Sequence, residues 1–241
     1  MNRRLPMLGV GFVLLALAAA SVVSIRYAIA DELVSAVNGE LFKADTARAA
    51  TGLNMSDETW QVLLAEAQSA VQLAPRNGHH WNALARVRYL PRMVGEAAVS
   101  PDYVAIYQAY REAVLAQPSS AYAWSGLAYA SDHLFTQNRL PGGKAALEQA
   151  IERTRILGQR EPHALRTVVD LGLANWPLLT PATKQLVLGA VKHLAQRHRD
   201  EVVAIAGRRG ALLTVCAEPA MLVHQGCNKY RDSATTKILA I

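Results

Sequence analysis

A segment that occurs twice organises this sequence: PRNGHHWNALA at residues 75–85 and PSSAYAWSGLA at residues 118–128. A weaker third copy begins at Pro162, so the three prolines lie 43 and 44 residues apart. Bulky residues follow six positions after each proline and small residues ten positions after: Trp81, Trp124 and Val168, then Ala85, Ala128 and Gly172. A period of this size predicts stacked helical hairpins, because each hairpin must bury its apolar face on a neighbour.

The second copy extends backwards into the pattern Tyr110-x2-Ala113-x4-Pro118-x5-Trp124-x2-Leu127-Ala128. This pattern resembles the tetratricopeptide repeat (TPR). The resemblance implies that small residues let two helices approach closely, that the bulky residue fills the gap between hairpins, and that proline separates the helices. Each unit is about nine residues longer than the usual 34, so we expect longer loops at 90–101 and 136–143. The units are therefore TPR-like and degenerate, and the alternative is an irregular helical bundle.

The composition predicts an all-α fold with a sizeable core. Hydrophobic residues make up 51% of the chain and charged residues 18%. Strand-like alternation is scarce and aromatics are few, which favours helices. We expect a transmembrane helix followed by a short TPR-like helical-hairpin solenoid. The expected domains are a cytoplasmic tip at 1–4, an anchor at 5–25, a linker at 26–55, repeats at 56–200 and a C-terminal cap at 201–241.

The N-terminal segment predicts a membrane span. Leu5 to Ile25 carries no formal charge and follows Arg3 and Arg4. A spanning helix needs about 20 apolar residues, whereas the apolar part of a cleaved signal has only about 7–15. The small-x-small sequence at residues 28–30 keeps a cleaved signal open as the alternative. We favour a retained anchor.

The basic residues around the span predict its orientation. Arg3 and Arg4 precede it, while Arg26 is followed by Asp31 and Glu32. Basic flanks are retained on the cytoplasmic side, so the body should be exported. We therefore expect a single-pass protein of the bacterial inner membrane, with a cytoplasmic N-terminus and a periplasmic body.

Two cysteines, Cys216 and Cys227, stand in the predicted C-terminal cap. In an exported protein they are a candidate disulfide. Two free buried thiols, or a metal pair with His224, are the alternatives at this point. The absence of a CxxC motif and the single neighbouring histidine argue against a metal site.

The sequence contains no HExxH, GxSxG, GxGxxG or GxxxxGK[ST] motif. These motifs mark zinc, serine-nucleophile, dinucleotide and phosphate sites. We therefore expect no catalytic residues, no metal, no cofactor and no enzyme activity. The net charge of +6 could suit an anionic partner, but a mildly basic solvated surface explains it and we expect no nucleic-acid partner.

The resemblance to TPR proteins also implies a binding groove, which in that fold is formed by the first helix of each hairpin. Matching the pattern position by position gives a polar and aromatic set, suited to an extended peptide or to sugar rings. The set is His79, Asn82, Arg86 and Tyr89 from the first copy, Tyr122, Ser125, Tyr129, Asp132 and His133 from the second, and Arg166 from the third. The alternative for Tyr122 and Tyr129 is a packing role.

Two functions remain open from the sequence. The architecture is similar to that of the VpsP-type family associated with exopolysaccharide biosynthesis, which implies an anchored scaffold or adaptor. Its partners would be other envelope proteins, including polysaccharide synthesis and export components. The alternative is a periplasmic chaperone or assembly factor near a secretion or cytochrome-maturation complex. Fold alone does not separate them.

Overall fold

The computed structural model describes residues 4–51, 54–94, 97–221 and 224–228. Within these residues almost all regular structure is α-helix, which confirms the predicted all-α fold class. The chain forms two compact units, Met1–Gln117 and Pro118–Ile241. We describe each unit separately.

The described residues of the first unit form four helices. They are α1 (Arg4–Thr51), α2 (Asp57–Leu73), α3 (Gly78–Tyr89) and α4 (Tyr103–Ala116). Helix α1 packs on α2 and α3, and α3 packs in turn on α2 and α4. The side chains of Ser56 and Asn77 accept backbone N–H groups of the first turns and so cap the starts of α2 and α3.

Helix α1 joins the apolar N-terminal segment directly to the body. Large apolar side chains between Phe12 and Ile25 are exposed, and among the described helices α1 is long and apolar enough to cross a membrane. Beyond Arg26 the same helix buries the stripe Ala30, Val34, Val37 and Leu41. Residues 26–55 were expected to form a linker; instead they are helical as far as Thr51. The reason is the 3.6-residue spacing of that stripe, which packs on α2 and α3.

A small sheet occupies part of the predicted 90–101 loop. Strand β2 (Arg92–Val94) pairs antiparallel with β3 (Ala97–Val99), with Arg92 opposite Val99. Strand β1 (Met55–Ser56) pairs parallel with β2, with Met55 opposite Arg92. The sheet therefore joins the start of α2 to the segment between α3 and α4.

Residues 225–228 of the second unit are helical, and six α-helices precede them in its described part. They are α5 (Ala121–Thr136), α6 (Gly143–Leu157), α7 (Pro162–Ala174), α8 (Pro181–Ala195), α9 (Arg199–Arg208) and α10 (Leu212–Cys216). Helix α5 packs on α6 and α7, and α7 packs on α8 and α9. The first helix of each successive pair thus contacts the first helix of the next. Helix α9 crosses the boundary at residue 200 that we had expected between repeats and cap.

The two tryptophans of the repeated segment make the same hydrogen bond. The indole N–H of Trp81 donates to the carbonyl of Pro75, and that of Trp124 donates to the carbonyl of Pro118, both at 2.8 Å. Both side chains are half-buried. Each tryptophan therefore fixes the turn that precedes its own helix, a role that the spacing alone did not reveal.

The helix ends beside these turns also repeat. The C-cap residue of α2, Ala74, has φ −139° and ψ 70°, and that of α4, Gln117, has φ −140° and ψ 79°. The next helix is capped by Asn77 in one copy and by Ser120 in the other, through a side-chain oxygen. The same local structure is thus formed twice, 43 residues apart.

The small residue of the third copy lies where two helices meet. A Cβ atom added to Gly172 of α7 would stand 2.3 Å and 2.7 Å from the two methyl carbons of Val187 of α8. Such distances are far inside van der Waals contact. Only glycine permits this approach, and the corresponding Ala85 and Ala128 are fully buried in their own units.

Cys216 and Cys227 form a disulfide bond, so the predicted pairing is confirmed. Both residues are buried, as is Met221 between them. The turn Pro219–Met221 packs against α8. The bridge therefore joins the described segment 224–228 to α10.

Candidate binding face

The predicted groove residues of the first unit lie on α3, beside α1. The guanidinium of Arg86 donates to Asn38 Oδ1 at 3.0 Å and lies 3.7 Å from Asp45 Oδ2. His79 is exposed and Asn82 is half-buried. Helix α1 therefore contacts this side of α3 at Arg86, which the expected linker would not have done.

Tyr89 is the last of the predicted groove residues on α3, and it is 41% exposed. Its ring meets that of Tyr103 edge to face, with centroids 6.2 Å apart.

His80, which directly follows the predicted residue His79, is buried, and its Nε2 lies 2.8 Å from Asp31 Oδ1 on α1. Of the two adjacent histidines, His79 thus faces solvent and His80 ties α3 to α1.

The second unit brings the predicted residues of α5 together with α7 and α9. The hydroxyl of Tyr129 donates to Asp170 Oδ2 at 3.5 Å. The guanidinium of Arg209 donates to both oxygens of the same carboxylate, at 2.9 Å and 2.7 Å. This two-pronged geometry is the strongest form of an arginine–carboxylate contact. Asp170 is therefore the centre of a polar cluster on these helices.

Asp132 extends the cluster along α5. Its Oδ1 accepts a hydrogen bond from Asn175 Nδ2 at 2.6 Å. Burial raises the pKa of the Asp132 carboxyl, and the Asn175 hydrogen bond together with the positive charge of Arg209 only partly opposes this rise. In contrast, the hydrogen bond to Asp170 raises the pKa of Arg209 further, so that side chain stays charged.

Arg166 and Tyr122 lie nearer the beginning of α7 and α5. Arg166 Nε donates to Glu201 Oε1 of α9 at 2.5 Å. Tyr122 is 56% exposed and its ring stacks on His163, with centroids 5.2 Å apart and an interplanar angle of 15°. The face thus combines an ion pair with an exposed aromatic stack.

Ser125 differs in exposure from the other predicted residues of the second unit. Ser125 is only 1% exposed, so it lies in the core rather than on the face. It is on the side of α5 that carries the buried residues Ala121 and Ala128. His133 is half-buried. We give the name polar face to the set Tyr122, Tyr129, Asp132, Arg166, Asp170, Asn175, Glu201 and Arg209; Asn175 is buried, and the others are exposed or half-buried.

The repeat pattern did not place Asp170, Asn175, Glu201 or Arg209 in the groove. Asp170 follows Arg166 by four residues, a spacing that places both on one side of a helix. Glu201 and Arg209 were missed because we had assigned everything after residue 200 to a cap. Extending the helical pattern through α9 would have found them.

A pocket of about 240 Å³ lies elsewhere, in the first unit, beside Trp60, Arg88 and Arg92. The Arg92 guanidinium stands 4.0 Å over the Trp60 ring and pairs with Asp57. Arg88 donates to the carbonyl of Ala105 at 3.0 Å, and burial lowers its pKa. Both guanidinium groups are thus engaged in holding the sheet and α4 against α2 and α3.

The polar face is chemically suited to binding, because it presents hydroxyl, carboxylate, guanidinium and aromatic groups on three adjacent helices. Among the described residues, no cluster of three or more His, Cys, Asp or Glu is arranged to hold a metal ion. No protein-family model matches the chain, and no curated protein is significantly similar to it.

Proposed function

We propose that this protein is a membrane-anchored scaffold or adaptor of a bacterial envelope assembly. The observation that carries the proposal is α1, one continuous helix from the candidate span into the packed body. The buried stripe from Ala30 to Leu41 makes this helix a structural part of the body. Such an arrangement suits a protein that holds partners at a fixed position on a membrane.

The helices are TPR-like repeats in this proposal. Three observations support it: the paired packing of successive helices, the repeated tryptophan–proline hydrogen bond, and the repeated helix ends at Ala74 and Gln117. The part of α1 beyond Arg26 is the first helix of a further hairpin, and α2, on which it packs, is the second. Repeats of this kind commonly present one helix of each pair to a partner.

The polar face is the proposed binding site for another envelope protein. Its Arg166–Glu201 ion pair is half-exposed, so an incoming polar segment can exchange partners with it at little desolvation cost. The Tyr122–His163 stack offers a flat aromatic contact at the beginning of α5 and α7. A protein of a polysaccharide synthesis and export system is the partner that the resemblance to the VpsP-type family suggests.

The proposed location of the body is the periplasm. The Cys216–Cys227 disulfide is compatible with an oxidising compartment, and Arg3 and Arg4 favour a cytoplasmic N-terminus. Protease treatment of spheroplasts tests this directly. Degradation of the body without cell lysis supports the proposal, and protection until lysis contradicts it.

Mild crosslinking in intact cells, followed by membrane purification and mass spectrometry, tests the partner class. Recovery of glycosyltransferases or export components supports the polysaccharide scaffold. Recovery of translocon components or of many unrelated exported chains would instead indicate an assembly factor. A variant with Tyr129→Ala and Arg209→Ala should lose the specific partners, while Glu152→Ala on the exposed side of α6 should keep them.

A further inference from the structure

The body begins where the candidate span ends. Leu5 to Ile25 is free of formal charge, and a helix of this length covers the hydrocarbon core of about 30 Å. Arg26 follows at once, and its guanidinium donates to the carbonyl of Gln72 at 3.2 Å. Gln72 lies in the last turn of α2. The end of α2 is therefore no farther from the end of the span than one arginine side chain.

Asp31 fixes the connection between α2 and α3 at a second point. Its Oδ1 lies 2.8 Å from His80 Nε2 and accepts a hydrogen bond from Asn77 Nδ2 at 3.5 Å. Asp31 stands about 9 Å beyond Ile25 along the helix axis, and a tilt of α1 shortens its height above the hydrocarbon. The headgroup layer on each side is about 5–8 Å thick. Asn77 therefore lies at the outer edge of that layer, and Arg76 precedes it.

We propose that the α2–α3 turn, residues 74–79, rests on the phospholipid headgroups of the membrane that α1 crosses. Pro75, Arg76 and His79 are exposed. Arg76 and Arg26 bring two guanidinium groups to the level of the lipid phosphates, which are anionic and accept such donors. This inference rests on the proposed anchoring and adds a second contact, which fixes the orientation of the first unit on the membrane.

The Trp81–Pro75 hydrogen bond does not distinguish the α2–α3 turn, because Trp124 and Pro118 make the same bond in the second unit. What distinguishes the α2–α3 turn is its attachment to α1 through Arg26 and Asp31. Both contacts belong to one continuous helix. The distance of the turn from the span is therefore set within a single rigid element and its nearest neighbours.

The test places a small fluorophore at one of three positions of the full chain, reconstituted in vesicles of phosphatidylethanolamine and phosphatidylglycerol. The variants are Arg76→Cys in the turn, Glu58→Cys at the other end of α2, and Leu17→Cys within the span. The native cysteines are joined in a disulfide and do not react. Glu58 is exposed, like Arg76. It lies about 22 Å along the axis of α2 from Leu73, the last residue of that helix. Nitroxides attached to lipid headgroups or acyl chains act as quenchers.

The label at position 76 should lose most of its emission to headgroup nitroxides, while the label at position 58 keeps its emission. Equal quenching at the two positions, or none at position 76 while the label at 17 is quenched by acyl-chain nitroxides, would overturn the inference and leave the anchor intact. Failure of acyl-chain nitroxides to quench the label at 17 would remove the anchor, and the headgroup contact with it.

Discussion

Gly172→Ala tests the close packing of α7 on α8. The new methyl group would stand 2.3 Å and 2.7 Å from the two methyl carbons of Val187. Val187 is fully buried and β-branched, so it cannot turn away easily. Overpacking of this kind costs about 1–3 kcal/mol, and the better helix propensity of alanine returns about 1 kcal/mol. We expect a net loss of up to about 2 kcal/mol in the free energy of unfolding.

Urea unfolding of the full chain in detergent, followed by far-ultraviolet circular dichroism, measures this change. Gly189→Ala in α8 is the matched control, because its Cβ would meet only Arg155 Nη2 at 3.9 Å. The control should gain about 0.5–1 kcal/mol from propensity alone. Adding Val187→Ala to Gly172→Ala should recover part of the loss through a favourable coupling energy. If Gly172→Ala stabilised the protein as the control does, the proposed contact between the helices would be wrong.

Three further changes address other parts of the molecule. Trp124→Phe keeps an aromatic ring but removes the N–H bond to Pro118, and should lower the free energy of unfolding by about 1 kcal/mol; no change would deny that bond a role. Cys216→Ser should cost about 3 kcal/mol under oxidising conditions and show no difference from the parent chain in reductant; an equal loss in both would point to packing alone. Asp132→Asn should stabilise the protein at pH 7, because burial raises the pKa of this carboxyl. The folded state then binds the proton more readily, so the parent chain loses stability as pH rises through the folded pKa, and the advantage of the variant should vanish near the unfolded pKa of about 3.9. A pH-independent difference in unfolding midpoints would contradict this assignment.

The beginnings of the helices could be predicted from the sequence because their determinants are local. Ser56, Asn77, Asp102 and Thr180 cap α2, α3, α4 and α8 through their own side chains. A capping residue followed by an apolar stripe carries this information within one or two turns. The disulfide was also accessible, because it needed only two cysteines and an exported location.

The continuation of α1 and the sheet were not predicted, for different physical reasons. We ended the first helix where its apolar run met Arg26, although Ala30, Val34, Val37 and Leu41 continue at helical spacing. The strands have only two or three residues, too few to show an alternating pattern. The pairing of β1 with β2 joins residues separated by the whole of α2 and α3.

The polar face could be predicted only in part. The repeat pattern identified Tyr129, Asp132 and Arg166, which lie on the first helices of their pairs. It could not give their partners, because Asp170, Arg209 and Glu201 become neighbours only when α5, α7 and α9 pack together. It also placed Ser125 on the face, although Ser125 is buried. A difference of one residue along a helix separates an exposed position from a buried one.

The proposed adaptor role is tested most directly by site-specific photocrosslinking from the polar face in living cells. A photoreactive amino acid at Tyr129 is compared with the same group at Glu152, which is exposed on α6. The account predicts a discrete crosslinked envelope protein from position 129 and none from position 152. Identical products from both positions, or none from position 129 in correctly anchored protein, would contradict it.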